Sequence, residues 1–321
     1  MEIYKAFLTF CLFLLGFQLI AQENCGNGID DDNDGYADCF DSDCPCYAPF
    51  DCNVREFYKT YTPYSPIPGF SNSGDVLFGE VDFLNTTINP YYNLTQNGLP
   101  TTINSIGFNP IDNFIYGINS DSPHQLYRIN ALYVVSYLGD LNLPRNCVAG
   151  DIDNLGNYYV SSIDNVGELY RIDINNVTYS IVGQTGIKVS DFAFNPDDGL
   201  FYGWRQQIQR GLYTIDPTNA VASPTPISSN SINEAGSLFF DTRGDIFFFG
   251  DYAPFQIGQE SFFKIDMQTG VVNLLGQTDR INYMDGCSCP YGIELYKNSN
   301  PSQVLAGDTT TYIFSINNKM H

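Results

Sequence analysis

An all-β fold is predicted for this chain, a β-propeller of about five four-stranded blades closed by a C-terminal strand in the N-terminal blade. A motif recurs at a 43-residue step. Each recurring unit breaks into four short runs rich in β-branched and aromatic residues. The first unit lacks a strand, and the C-terminal end supplies one.

The first marker is Leu126-Tyr127-Arg128-Ile129, which returns as Leu169-Tyr170-Arg171-Ile172 and Leu212-Tyr213-Thr214-Ile215. Phe262-Phe263-Lys264-Ile265 follows after 50 residues. Ile115-Tyr116, Tyr158-Tyr159 and Phe201-Tyr202 keep the same phase. Gly107-Phe108-Asn109-Pro110 returns as Ala193-Phe194-Asn195-Pro196. Within one unit the runs are Cys147–Asp153, Tyr158–Ser162, Glu168–Asp173 and Thr178–Gly183, separated by Asn, Asp and Gly. These runs are too short and too β-branched for a solenoid of helix pairs.

Complete units occupy 104–146, 147–189, 190–231 and 232–281. Arg55–Thr62, Val76–Phe83 and Tyr91–Thr95 match second, third and fourth strands with no first strand before them. Tyr283–Cys287 stands where another first strand belongs. Pairing it with the N-terminal runs closes the ring and removes free edges. Cys52 then lies beside Cys287 and Cys289, and a disulfide from Cys52 to one of them is expected to staple the closure.

Composition narrows the function. Of 321 residues 43% are hydrophobic and 15% aromatic, so a packed core is expected. Fourteen Lys and Arg against 36 Asp and Glu give a net charge of −22, which disfavours nucleic acid and anionic membranes as partners. Residues 1–21 have a basic start, an apolar run from Ala6 to Ile20 and a small residue at the exit. They read as a secretory signal peptide, with no membrane span left after cleavage. The protein is expected to be secreted or at the cell surface. Eight cysteines then remain, and an even number in an oxidising compartment favours disulfides.

Five of those cysteines fall in residues 25–52, with eight Asp and no basic residue. Taking Asp30 as position 1 of a calcium loop puts Asp32 at 3, Asp34 at 5, Gly35 at 6, Tyr36 at 7, Asp38 at 9 and Asp41 at 12. Alternate carboxylates of a tight loop converge on one hard cation, Gly permits the reversal, and Tyr36 offers its carbonyl. Segment 22–46 is therefore expected to hold a structural calcium ion, with an affinity on the order of 10⁻⁴ to 10⁻³ M. No amphipathic helices flank the loop, so it is not an EF-hand pair. The bland alternative is a solvated acidic linker.

Residues 27–44 resemble the acidic Cys-framed repeats of secreted bacterial surface proteins, N-G-x-D-D-D-x-D-G-x-x-D-C-x-D-x-D-C, and are similar to the calcium loops of thrombospondin type 3 repeats. Phe194–Gly203 and Ile265–Gly270 carry a resemblance to an uncharacterised family of secreted bacterial propeller domains, covering about 47–290. That resemblance implies no catalytic activity. Residues 291–321 resemble the opening strands of a bacterial Ig-like surface repeat, through Lys297, Pro301, Val304, Gly307-Asp308 and Thr311-Tyr312.

Enzymatic candidates are sparse. His124 is the sole internal histidine, and it reads as an exposed turn residue. Asp151, Asp153, Asp191 and Asp285 lie near first strands and could converge on an axial metal, as in a lactonase-like hydrolase, or could cap turns instead. Asp173, Asp216 and Asp266 recur after third strands, as turn caps do. The leading expectation is a non-enzymatic, adhesion-type propeller that binds a surface protein or a glycan. The alternative is a metal-dependent propeller hydrolase.

Overall fold

A computed structural model describes residues 23–51, 57–82, 85–94, 103–120, 122–252, 259–279, 281–289, 293–300 and 311–318. The expected signal peptide and Cys52 lie outside the described residues. The chain divides into two compact units, 1–49 and 50–321. Among the described residues no helix is long and apolar enough to cross a membrane.

The first unit has one turn of 3-10 helix at Asp38–Phe40. Its described part, 23–49, has few apolar residues and is held by covalent bonds, Cys25–Cys44 and Cys39–Cys46. Closing loops of this kind restricts the unfolded chain, which compensates for a minimal core.

The second unit is a five-bladed β-propeller. Its first blade holds β1 (Phe57–Pro63), β2 (Leu77–Asp82) and β3 (Thr87–Asn93). The second holds β4 (Ile103–Phe108), β5 (Ile115–Asn119), β6 (Gln125–Ile129) and β7 (Val135–Asp140). The third holds β8 (Cys147–Ile152), β9 (Tyr158–Ser162), β10 (Glu168–Asp173) and β11 (Thr178–Gln184). The fourth holds β12 (Phe192–Asn195), β13 (Leu200–Arg205), β14 (Gly211–Ile215) and β15 (Ala222–Ser228). The fifth holds β16 (Ile232–Phe240), β17 (Ile246–Tyr252), β18 (Gln259–Ile265) and β19 (Val272–Asp279).

Closure takes the expected form. Strand β20 (Ile281–Ser288) pairs antiparallel with β1, from Phe57 opposite Ser288 to Pro63 opposite Ile281, so the first sheet runs β20-β1-β2-β3. Its fourth strand starts at Thr87 rather than Tyr91. The last strands, β21 (Ile293–Asn300) and β22 (Thr311–Asn318), pair with each other in a two-stranded sheet.

Strands β4, β8, β12, β16 and β20 contact one another around the axis. They are packed on both faces and are buried nearly throughout, whereas the outermost strands β7 and β11 are largely half-buried or exposed. Aromatic rings fill the space between sheets: Trp204 stacks on Phe248 at 5.8 Å and Phe57 on Phe239 at 4.9 Å.

Two of the eight cysteines depart from the disulfide expectation. Cys147 and Cys287 are free and buried on the inner strands β8 and β20, where a thiol packs as a small apolar group. Cys289 is disulfide-bonded. His124 departs too, being 1% exposed rather than an open turn residue. The carbonyls of Pro123 and His124 accept the N–H groups of Asn142 and Leu141, folding this turn back against the end of β7.

The two ends of the ring differ. At one end the turns are closed by Asn and Asp side chains that accept N–H groups from their own turn. Asn109, Asn130, Asp153, Asp173, Asn195, Asp216, Asp241 and Asp266 all do so. The other end, where the innermost strands begin, carries the irregular connections, including 64–76, 163–167 and 206–210.

Candidate functional site

In the first unit the acidic loop is shaped by its own backbone. The Asp30 carboxylate accepts the Gly35 N–H at 2.9 Å, Asp32 accepts Asp34 N–H at 3.1 Å, and Asp34 accepts Tyr36 N–H at 2.9 Å. Gly35 holds φ at 99°, a conformation that favours glycine and lets the loop reverse. One oxygen each from Asp30, Asp32 and Asp34 lie within 4.8 Å of one another, as do oxygens from Glu23, Asp32 and Asp41.

Asp41 is 1% exposed. One of its oxygens accepts Asp43 N–H at 2.6 Å, and the other is buried without a hydrogen bond, as is Oδ1 of Asp30. Desolvation, together with Asp34, Asp41 and Asp30, raises the Asp32 pKa against the pull of the Asp34 N–H. Crowded carboxylate oxygens that lack donors suit a hard divalent cation.

Of the sequence-derived ligands, Asp30, Asp32 and Asp34 form one triad, and Asp41 meets Asp32 in a second, with Tyr36 in the same loop. Asp38 is turned elsewhere. Its carboxylate accepts the N–H groups of Gly26, of Asn27 at 2.9 Å and of Gly28 at 2.8 Å. Glu23 joins the cluster instead, its oxygens also accepting Asp31 N–H at 2.8 Å and Asp38 N–H at 2.9 Å. Nothing in the loop pattern, which starts at Asp30, points back to Glu23.

On the propeller axis the three first-strand aspartates stitch neighbouring blades. Asp151 accepts the Phe194 N–H of the next blade at 2.8 Å, and Asp191 accepts Leu238 N–H at 2.6 Å. Asp285 accepts Ile106 N–H. Tyr158 donates its hydroxyl to the Ser105 carbonyl across the seam between the second and third blades. Asp153 caps its own turn. Among the described residues these aspartates do not form a triad within 4.8 Å.

Burial pushes Asp151 up to about 8, against the two N–H groups it accepts. Asp191 and Asp285 form a hydrogen-bonded acid pair, and burial, followed for Asp285 by the Asp191 charge, holds both far above the usual carboxylate range. As two anions neither could donate, so a proton held between them makes one the donor and the other the acceptor.

Lys59, on β1, is fully buried beside this pair. Its ammonium lies 3.7 Å from the Phe249 ring centroid and 3.2 Å from the Met284 sulfur. Burial lowers its pKa to about 7 despite the favourable charges of Glu260, Asp191 and Asp285.

Above Lys59, at the end of the ring with the irregular loops, lies a cavity of about 340 Å³. Asn104, Ser190, Glu234, Asp251, Glu260 and Met284 form much of its wall. The Ser190 hydroxyl donates to Glu234 at 2.6 Å and accepts from the Gln206 amide.

The fold and its axial stitching define a five-bladed propeller with inter-blade acid clasps. Residues 84–291 match the family described as Repeat of unknown function (DUF6923), and the chain belongs to that family. A search of curated proteins finds no match.

Among solved structures, the chain is similar to a structural genomics protein of unknown function from Bacteroides thetaiotaomicron. That match has 13% identity and TM-score 0.49, covering 70% of this chain and 66% of that one. It is also similar to TolB from Acinetobacter baumannii, at 13% identity and TM-score 0.47, covering 85% and 63%. An auxiliary nutrient binding protein from Bacteroides thetaiotaomicron matches at 12% identity and TM-score 0.40, covering 69% and 64%. The chain thus spans less than two thirds of the length of each of these three.

Proposed function

We propose that this protein is a secreted or surface-displayed, non-enzymatic binding propeller of adhesion type, and that its acidic N-terminal unit is a structural calcium module. The observation that carries the binding reading is the engagement of Asp151, Asp191 and Asp285. Each closes a seam between blades, so these carboxylates hold the ring together instead of presenting a ligand set on the axis. The irregular loops gathered at one end supply an extended surface on a rigid scaffold.

The calcium reading is supported by Asp30, Asp32, Asp34, Asp41 and Glu23. Tyr36 would add its carbonyl, and calcium's preference for six to eight oxygens suits this all-oxygen set. In isothermal calorimetry the full chain is expected to bind calcium with a Kd on the order of 10⁻⁴ to 10⁻³ M. The Asp34→Ala variant should lose that heat, and unchanged binding there would remove the loop from the account.

The binding reading is tested with the labelled full chain on arrays of surface glycoproteins and glycans, alongside a panel of lactones with calcium, manganese or zinc. Saturable binding without turnover is expected. Lactone turnover that disappears in Asp191→Asn would establish the hydrolase instead.

A further inference from the structure

The axial cavity offers a site more specific than a general binding face. Its polar wall carries Glu234 and Asp251 as well as Glu260, and among the described residues that line it none is Lys, Arg or His. Val148, Ile163 and Ile281 give it an apolar side. Glu234 is held in place by the Ser190 hydroxyl, and Ser190 by the Gln206 amide.

The same wall already accommodates one ammonium. Met284 and Glu260 line the cavity, and from behind they flank the Lys59 ammonium together with the Phe249 ring. Around Lys59 burial outweighs the charge of Glu260 that favours the cation, whereas Glu234 and Asp251 are exposed, so their charge acts on a cation without that cost. Lys59 answers Glu260, while Glu234 and Asp251 belong to the outer wall. Among the described residues these acids make no triad within 4.8 Å, so a compact metal ion could not engage all of them. A cation on an apolar stem can, with its stem along Val148 and Ile281 and its donors spread between the carboxylates.

We propose that this cavity binds the guanidinium or ammonium of an arginine or lysine side chain presented by a partner polypeptide. The inference rests on the reading of the propeller as a binding module and names the ligand of its axial site.

The test is calorimetry on the full chain with the peptide acetyl-Gly-Arg-Gly-amide. The citrulline peptide serves as the neutral isostere and agmatine as the free cation. Binding of the arginine peptide at least about tenfold tighter than the citrulline peptide is expected. Glu234→Gln and Asp251→Asn should each weaken it about tenfold, a loss of about 1.4 kcal/mol apiece, with melting temperatures unchanged. Equal binding of the two peptides, or unaltered affinity in folded variants, overturns the proposal. Agmatine binding as tightly as the peptide would overturn the polypeptide source. Silence toward all three probes, with retention on the glycoprotein or glycan arrays, would remove this cavity and leave the binding module standing. Lactone turnover would remove the module itself.

Discussion

The ammonium of Lys59 rests 3.7 Å from the centroid of the Phe249 ring, in a position with no exposure to solvent. The fold tolerates a lysine there because three acids lie near it, yet desolvation still outweighs them and lowers its pKa to about 7. In the unfolded chain the same lysine keeps its proton to about pH 10. Between these values the unfolded state binds more protons, so the Lys59 contribution to stability rises with pH. Urea denaturation at pH 7 and pH 9 should show this rise in the parent and not in Lys59→Met. The difference between the two proteins should shift by about 2 kcal/mol.

Asp151 has the opposite sign. Its carboxyl is held up to about 8 in the fold, so the folded state keeps a proton that the unfolded chain has released. Stability from this group is greatest at acid pH and falls as pH climbs from about 4 through about 8. Asp151→Asn mimics the protonated form and should flatten that slope in melting curves between pH 5 and pH 8. A slope equal to the parent's would mean Asp151 ionises freely in the fold.

The seam between the second and third blades leaves no room for a methyl group at Gly150. A Cβ there would sit 2.5 Å from the Ser105 carbonyl oxygen and 2.7 Å from the Ser105 Cβ, and a backbone neighbour cannot swing away. Gly150→Ala should destabilise the propeller by about 1–3 kcal/mol. Gly199→Ala offers a contrast, since its added Cβ meets nothing within 4 Å and its cost comes from a φ of 76° alone. Chemical denaturation of both variants separates packing from backbone strain.

Glu23 stands among the clustered carboxylates, where spacing alone would place Asp38. Glu23→Gln should weaken calcium binding about tenfold through loss of a carboxylate in the cluster. Asp38→Asn leaves an acceptor for the Gly26, Asn27 and Gly28 N–H groups and should act on the stability of the first unit more than on the ion. Calorimetry with calcium, paired with proteolysis of the first unit, distinguishes the two.

The blades are legible in the sequence because every unit meets the same surroundings, so Tyr127, Tyr170 and Tyr213 recur in phase. The turn role of Asp173, Asp216 and Asp266 is legible for the same reason. Asp151 and Asp285 are harder, since an aspartate reads alike whether it accepts an N–H from its own turn or from the next blade. Lys59 reads as an ordinary strand lysine. Its burial depends on ring closure, which brings in Met284 from 225 positions away. Glu23 is hidden because it precedes the loop pattern that starts at Asp30, and only the fold brings it to Asp32 and Asp41.

The pairing of Phe57 with Ser288 places both ends of the ring's closing ladder side by side. Tension applied between those ends would peel the ladder one rung at a time, the weakest way to load paired strands. Cys289, joined covalently elsewhere in the chain, stands one residue from the rung that would part first.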